Sequence, residues 1–232
     1  MYPSGDNNTK NPFFDNLYRD RRDIHHDLNA NLYAIVKLPF GFEYQMNFTP
    51  RYHWYEYMNH ESAEHPEWAG DGGRSERKNE KTFNWQVDNI LRWKKEFGED
   101  HRVEATFLQN AEKGQWWKTV AQNKLYSPSD ILGFHNIGAG TAPSVSSEDT
   151  YKTGDALMGR LFYSFKDKYM LTASVRRDGY SAFGSMNPHA VFPAVALGWV
   201  FTSEKFMEKT SDWLNYGKLR FSWGQNGNRD IG

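Results

Sequence analysis

Phe40, Phe42, Tyr44, Met46 and Phe48 alternate with Gly41, Glu43, Gln45, Asn47 and Thr49, and the alternation carries on to Tyr52. A period of two over about thirteen residues writes a β-strand with one apolar and one polar face. Strands of soluble sheets are commonly ~5–6 residues long. A strand tilted at ~45° needs about 9–11 residues to cross a hydrocarbon layer. A soluble sandwich and a membrane barrel both alternate, so the length of the run separates them. The rings add to this. Tyr52, Trp54, Tyr55 and Tyr57 gather at one end of the strands, and Trp93, Tyr169 and Trp199 lie toward the other. Amphipathic rings of this kind prefer the headgroup layer.

The same rhythm recurs along the chain. Leu28, Ala30, Leu32, Ala34, Val36 and Leu38 form the apolar side of a strand ending at the turn Pro39-Phe40-Gly41. Strands follow from Phe83, over Arg102–Asn110, from Leu157, from Tyr169, and on to Phe201 and beyond Leu219. The fold class is all-β, an antiparallel meander of about eight strands. Turns at Pro39, Phe97 and Asp167 are short, while the loops Glu56–Lys81, Ala111–Thr150 and Gly179–His189 are long. Short and long connections alternate, as in outer-membrane barrels, whose short turns are periplasmic and whose long loops are outside. Ser203–Gly217 is a longer connection expected on the periplasmic side, with a helical turn at the rim. Met1–His26 reads as the tail of a loop. Gln115–Tyr126 reads as a short amphipathic helix within a long connection.

Composition narrows the function classes. Phe, Tyr and Trp reach 16% of 232 residues, which suits a β-rich protein with broad aromatic rims. Mean hydropathy is −0.83, a value a barrel can reach because half its strand residues face water. Net charge of −1 gives no nucleic-acid footprint. No cysteine is present, which excludes a disulfide scaffold or a Cys-ligated metal. No run of about twenty apolar residues offers a transmembrane helix. Met1 is followed by Tyr-Pro-Ser-Gly-Asp, loop chemistry rather than a secretory leader.

Polar constellations give little chemistry. His60 and His65 are five residues apart, where a zincin helix needs four, and Pro66 follows directly. Gly138-Ala139-Gly140-Thr141 lacks the lysine of a phosphate loop. No pair of carboxylates is singled out by a signature. No enzyme activity, cofactor or metal is expected. Arg176-Arg177-Asp178-Gly179 reads as a charge-paired strand end, with Gly179 supplying a turn conformation; contact with substrate is the other reading. Trp54, Trp116 and Trp117, in or beside long loops, are candidates to stack on cargo, or to join an interfacial belt or pack within the loop.

From Thr172 the chain reads Thr-Ala-Ser-Val-Arg-Arg-Asp-Gly, followed by Phe183-Gly184, Phe192-Pro193, Gly198-Trp199, Glu204-Lys205-Phe206 and Leu219-Arg220-Phe221-Ser222-Trp223-Gly224. In order and spacing these motifs resemble the barrel of SusC/RagA-type TonB-linked outer-membrane transporters. The family stretch Asp-Gly-Ser-Ser is altered here to Asp178-Gly179-Tyr180-Ser181. The resemblance implies that residues 1–232 are an internal piece of a barrel of about 22 strands, open as a fragment, without plug or leader. It implies import of large nutrients, glycans or peptides, across the outer membrane of a Bacteroidetes-like Gram-negative cell. The implied partners are outer-membrane lipid, a SusD-like surface lipoprotein, TonB acting through a plug segment, and the glycan or peptide cargo. Strand geometry then points Asn31, Glu43, Gln45, Asn47, Gln86, Asp88, Arg92, Arg160 and Arg220 toward a wet lumen. A passive porin-like or adhesive barrel, and a soluble β-rich sugar-binding or hydrolytic domain, are the alternative readings.

Overall fold

The computed structural model describes residues 12–65, 69–127, 129–181, 189–210 and 212–227; the motif residues Phe183 and Gly184 lie outside them. A short helix α1 (Pro12–Tyr18) leads into β1 (Arg19–Asn29) and β2 (Leu32–Lys37). Then come β3 (Phe42–Glu61), β4 (Arg74–Phe97), β5 (His101–Lys124), β6 (Ser144–Phe165), β7 (Tyr169–Tyr180), β8 (His189–Trp199) and β9 (Leu219–Gly224). They form one nine-stranded sheet in the order β1-β3-β4-β5-β6-β7-β8-β9, with β2 also on β3. Among the described residues the path ends at β1 and β9, so the sheet is an open meander.

Three expectations are corrected. Met1–His26 is not all loop, because α1 and most of β1 fall in it. β1 lacks an apolar face, and its polar side chains pair across the ladder instead: Arg19 Nε donates to Asn59 at 2.9 Å, Tyr55 Oη to Asp23 at 2.7 Å, and His53 Nδ1 meets Asp27 at 2.7 Å. Gln115–Tyr126 is no helix; through Lys124 it continues β5. The long connections are shorter than expected, since β3 and β4 extend inward to Glu61 and Arg74, and β5 and β6 to Lys124 and Ser144.

Turn chemistry explains the short ends. Phe40 and Gly41 both take positive φ, at 64° and 84°, between β2 and β3. Lys166 and Asp167, at 53° and 51°, make the twist that a tight hairpin demands. At the β8–β9 connection, the expected helical turn takes the form of 3₁₀ turns at Phe201–Ser203 and Lys205–Thr210. There Glu204 accepts hydrogen bonds from Tyr169 Oη at 2.5 Å and Trp199 Nε1 at 3.2 Å, which fastens the turn to β7 and β8.

Contacts divide the chain into two compact units. One comprises Met1–Leu28, Arg51–Phe83 and Gln115–Tyr151. Within it two connections are tied together: Leu125 N donates to Asp71 O at 3.0 Å, Tyr126 N to Gly72 O at 2.9 Å, and Ala63 N to Asp130 Oδ2 at 2.7 Å. Phe134, in the second of these connections, is almost wholly buried, with the Arg22 guanidinium 5.2 Å over its ring. The other unit comprises Asn29–Pro50, Asn84–Gly114 and Lys152–Gly232. Among its described residues few apolar side chains are buried, and large hydrophobics stand exposed on the strands, among them Phe221 at 64%, Leu197 at 52% and Phe107 at 50%. Among the described residues no second sheet covers Phe42 and Met46, each 37% exposed.

Candidate functional site

The register sorts the second unit into two faces. Paired residues of antiparallel neighbours project to the same side. Leu32↔Phe48, Ala34↔Met46 and Val36↔Tyr44 therefore share one face, and Tyr33↔Asn47, Ile35↔Gln45 and Lys37↔Glu43 the other. On β6, β7 and β8 the apolar rows are Leu161↔Ala173, Tyr163↔Leu171, Ala173↔Val195 and Leu171↔Leu197. Leu219 and Phe221 extend them on β9, opposite Trp199 and Leu197.

The polar face is a hydrogen-bonded surface. Arg92 Nη1 donates to Glu43 Oε1 at 3.1 Å and to Gln45 Oε1 at 2.7 Å, and Gln45 Nε2 donates to Asn47 Oδ1 at 2.8 Å. Asp88 accepts from Gln86 Nε2 at 3.0 Å and from Asn110 Nδ2 at 2.7 Å. Arg160 sits opposite Ser174, and Arg220 opposite Gly198. Glu43, Gln45 and Arg92 are thus brought together, Asp88 forms a second cluster with Gln86, and Arg160 and Arg220 stand apart. Asn31 falls in the break between β1 and β2.

Arg176-Arg177-Asp178-Gly179 ends β7 in two ion pairs. Arg176 Nε donates to Asp178 at 2.8 and 3.0 Å, and Arg177 Nη2 to Asp155 Oδ2 at 3.1 Å. Gly179 plays a different part from the one expected. It is a strand residue paired with Asp155 and His189, and a Cβ there would strike both of those side chains. Close approach, not a turn conformation, accounts for the glycine.

Trp54, Trp116 and Trp117 do not sit in loops. Trp54 is on β3, and Trp116 and Trp117 are on β5. As neighbours on a strand, Trp116 and Trp117 point to opposite faces. Trp54 packs against His26 at 5.8 Å, and Lys81 Nζ lies 5.4 Å over its ring. Sequence reasoning missed a polar chain on the otherwise apolar face: Tyr44 Oη donates to Asn89 Oδ1 and Asn89 Nδ2 to Gln109 Oε1, both at 2.6 Å. The signal was present, since Asn89 and Gln109 interrupt the apolar rows of β4 and β5.

His60 and His65 each meet a polar side chain. His60 Nδ1 lies 2.9 Å from Ser75 Oγ, and His65 Nε2 lies 3.1 Å from Asp15. Burial pushes the Asp130 carboxyl up, but the Ala63 amide, the Ser62 hydroxyl and nearby His60 outweigh it and hold Asp130 below its ordinary value.

Known proteins match the chain in sequence and in fold. The model of the TonB dependent receptor-like β-barrel family fits residues 2–230. The chain belongs to that family. It is 34% identical over 152 residues to TonB-dependent receptor P39 of Formosa agariphila, covering 65% of this chain and 14% of the relative. It is 33% identical over 124 residues to TonB-dependent receptor SusC of Bacteroides thetaiotaomicron, covering 52% and 11%. The chain therefore spans about a seventh or less of these relatives. Among solved structures, the RagAB peptide transporter superposes with a TM-score of 0.85 at 21% identity, over 95% of this chain and 24% of that one. The TonB-dependent receptors are a family of outer-membrane proteins of Gram-negative bacteria.

Proposed function

We propose that this segment is part of the wall of a TonB-dependent importer that carries large nutrients, glycans or peptides, across the outer membrane of a Bacteroidetes-like cell. The observation that carries the reading is the family match over residues 2–230. Residues 1–232 act as a partial barrel domain, and a plug elsewhere in the full-length protein receives the energy relayed by TonB. A SusD-like surface lipoprotein closes the external end.

The two faces fit this work. The apolar rows meet lipid, and the self-satisfied Tyr44-Asn89-Gln109 chain keeps polar groups on that face from remaining unpaired. The polar face, with Glu43, Gln45, Asn47, Asp88, Arg92, Arg160 and Arg220, lines the passage and keeps it wet. Trp116 occupies an even position of β5, as Asn110 does, and of the three tryptophans it is the one we assign to cargo.

The test is uptake by cells carrying or lacking the full-length gene, with a polysaccharide or a peptide pool as sole nutrient. Loss of growth on one of these, together with co-purification of a lipoprotein, supports the reading. Uptake that continues after the proton gradient is collapsed points to a passive pore and overturns it.

A further inference from the structure

β6 runs from Ser144 to Phe165, but β7 accompanies it only from Gly154 onward, where Gly154 faces Tyr180. Residues 144–153 have β5 on one side, and among the described residues no strand lies on the other. Thr153 shows which backbone groups are left over. Its N–H donates to Ser181 Oγ and its carbonyl accepts from Ser181 N, both at 2.9 Å, on the side away from β5. Ala142 N, an odd number of positions away, donates to Lys124 O of β5 at 3.4 Å. Successive residues of a strand turn their N–H and C=O to opposite edges. Val145, Ser147 and Asp149 therefore direct theirs to the empty edge, and the residues between them serve the ladder to β5.

Every residue from Ser144 to Thr153 is exposed, on both faces of the strand. No apolar row marks a lipid side here, as Leu157 and Leu161 do further along β6. Glu148 and Asp149 project to opposite faces, and among the described residues neither forms an ion pair. An unpaired backbone edge does not occur in hydrocarbon. On the barrel reading above, on which this inference rests, the stretch therefore stands in water. The connection 125–143 that leads into β6 is a long one, which makes this the external end of the strand.

A second copy of this chain does not fit the edge. Identical strands that pair about a two-fold axis run antiparallel, and that would invert one of the two barrels in the membrane. Cargo does not fit it either. A face of the sheet lines the passage, whereas a strand added at an edge joins the wall. We infer that the outer part of β6 is an edge to which a second protein adds an extended segment carrying two adjacent basic residues. The outward N–H and C=O groups of Val145, Ser147 and Asp149 supply the ladder. Neighbouring residues of the added strand also project to opposite faces, so one cation meets Glu148 and the next meets Asp149.

The test uses the full-length protein in mild detergent at low salt. The probe is a fluorescent octapeptide of alternating threonine and valine with two lysines at its centre, read by anisotropy. Its controls are the same peptide with two glutamates instead, and the lysine peptide with alternate amides N-methylated. The wild type should bind the lysine probe about tenfold more tightly than either control, the effect of one charge-assisted hydrogen bond. Ser147→Pro should abolish binding, because it removes an outward N–H and leaves the bonds to β5 in place. Glu148→Lys with Asp149→Lys should reverse the choice between lysine and glutamate probes. Heat-resistant gel mobility reports folding, and Glu148→Gln with Asp149→Asn, which should erase that choice, replaces the lysine pair if it fails to fold. Hydrogen exchange at residues 145, 147 and 149 should be fast in the free protein and slow with the probe bound. Absent or equal binding of the three peptides by the wild type overturns the site. So does slow exchange at those amides in the free protein, since the edge is then already covered. Self-association that Ser147→Pro removes, or import of the probe by living cells that the same variant stops, overturns the occupant. Absence of the wild-type protein from outer-membrane fractions overturns the barrel reading instead.

Discussion

A side chain at Gly179 would have to push aside Asp155 and His189. Its neighbours across the ladder, Asp155 and His189, occupy the space a Cβ would need, and Asp155 is also the partner of Arg177. Gly179→Val should therefore lower stability by about 1–3 kcal/mol, the usual cost of overpacking, measured as a shift in the urea midpoint of the full-length protein in lipid vesicles. Asp130 makes a pH-dependent prediction. Its carboxyl is held below the ordinary value, so its contribution is complete above the unfolded value of about 3.9 and is lost as pH falls through the lower folded value. Pepsin cleavage between 62 and 73 should rise steeply below about pH 4, and Asp130→Asn should be cleaved readily throughout the range. These two residues also show what the sequence leaves unsaid. Gly179 could be read as special, but the reason lay in a partner 24 positions upstream. Asp130 looked like any loop aspartate until Ala63 and His60 were placed beside it.

Strands whose faces differ were legible in the sequence. β3 and β7 announce themselves through alternation, and so does the division of Glu43, Gln45 and Asn47 from Phe42, Tyr44 and Met46. β1 was not legible, because its ladder is held by charged and aromatic side chains on both sides and no apolar row marks it. The outer half of β5 was misread because Trp116-Trp117 and the polar residues around them carry no period of two. Only their β4 partners, such as Glu76 beside Gln122, make a strand of them. Pro50 marks another break the sequence only hints at. It has no N–H to give, and its carbonyl accepts from Ala30 between β1 and β2, at 3.1 Å. At the scale of one strand the faces can be tested directly. Met46→Lys should cost about 2–4 kcal/mol of folding stability in vesicles, as a lysine near the bilayer midplane does. Asn47→Lys, one residue on and facing the other way, should change it by less than about 0.5 kcal/mol.

Across the whole molecule the prediction concerns access. This chain contains no cysteine, so single thiols introduced into it report their own surroundings. In full-length protein in intact membranes, Cys at Gln45, Asp88 or Arg220 should react with a small water-soluble maleimide. Cys at Met46, Leu197 or Phe221 should react only with a lipid-soluble reagent. Equal labelling of both sets by the water-soluble reagent would contradict the assignment of faces. From β3 to β9 the neighbours in space are also the neighbours in the chain. Each arriving strand therefore finds its edge in the one laid just before it, with a short closure and no distant search. Insertion can then advance hairpin by hairpin along a single growing margin, and a one-residue slip at any step would exchange the oily and watery sides of every later strand.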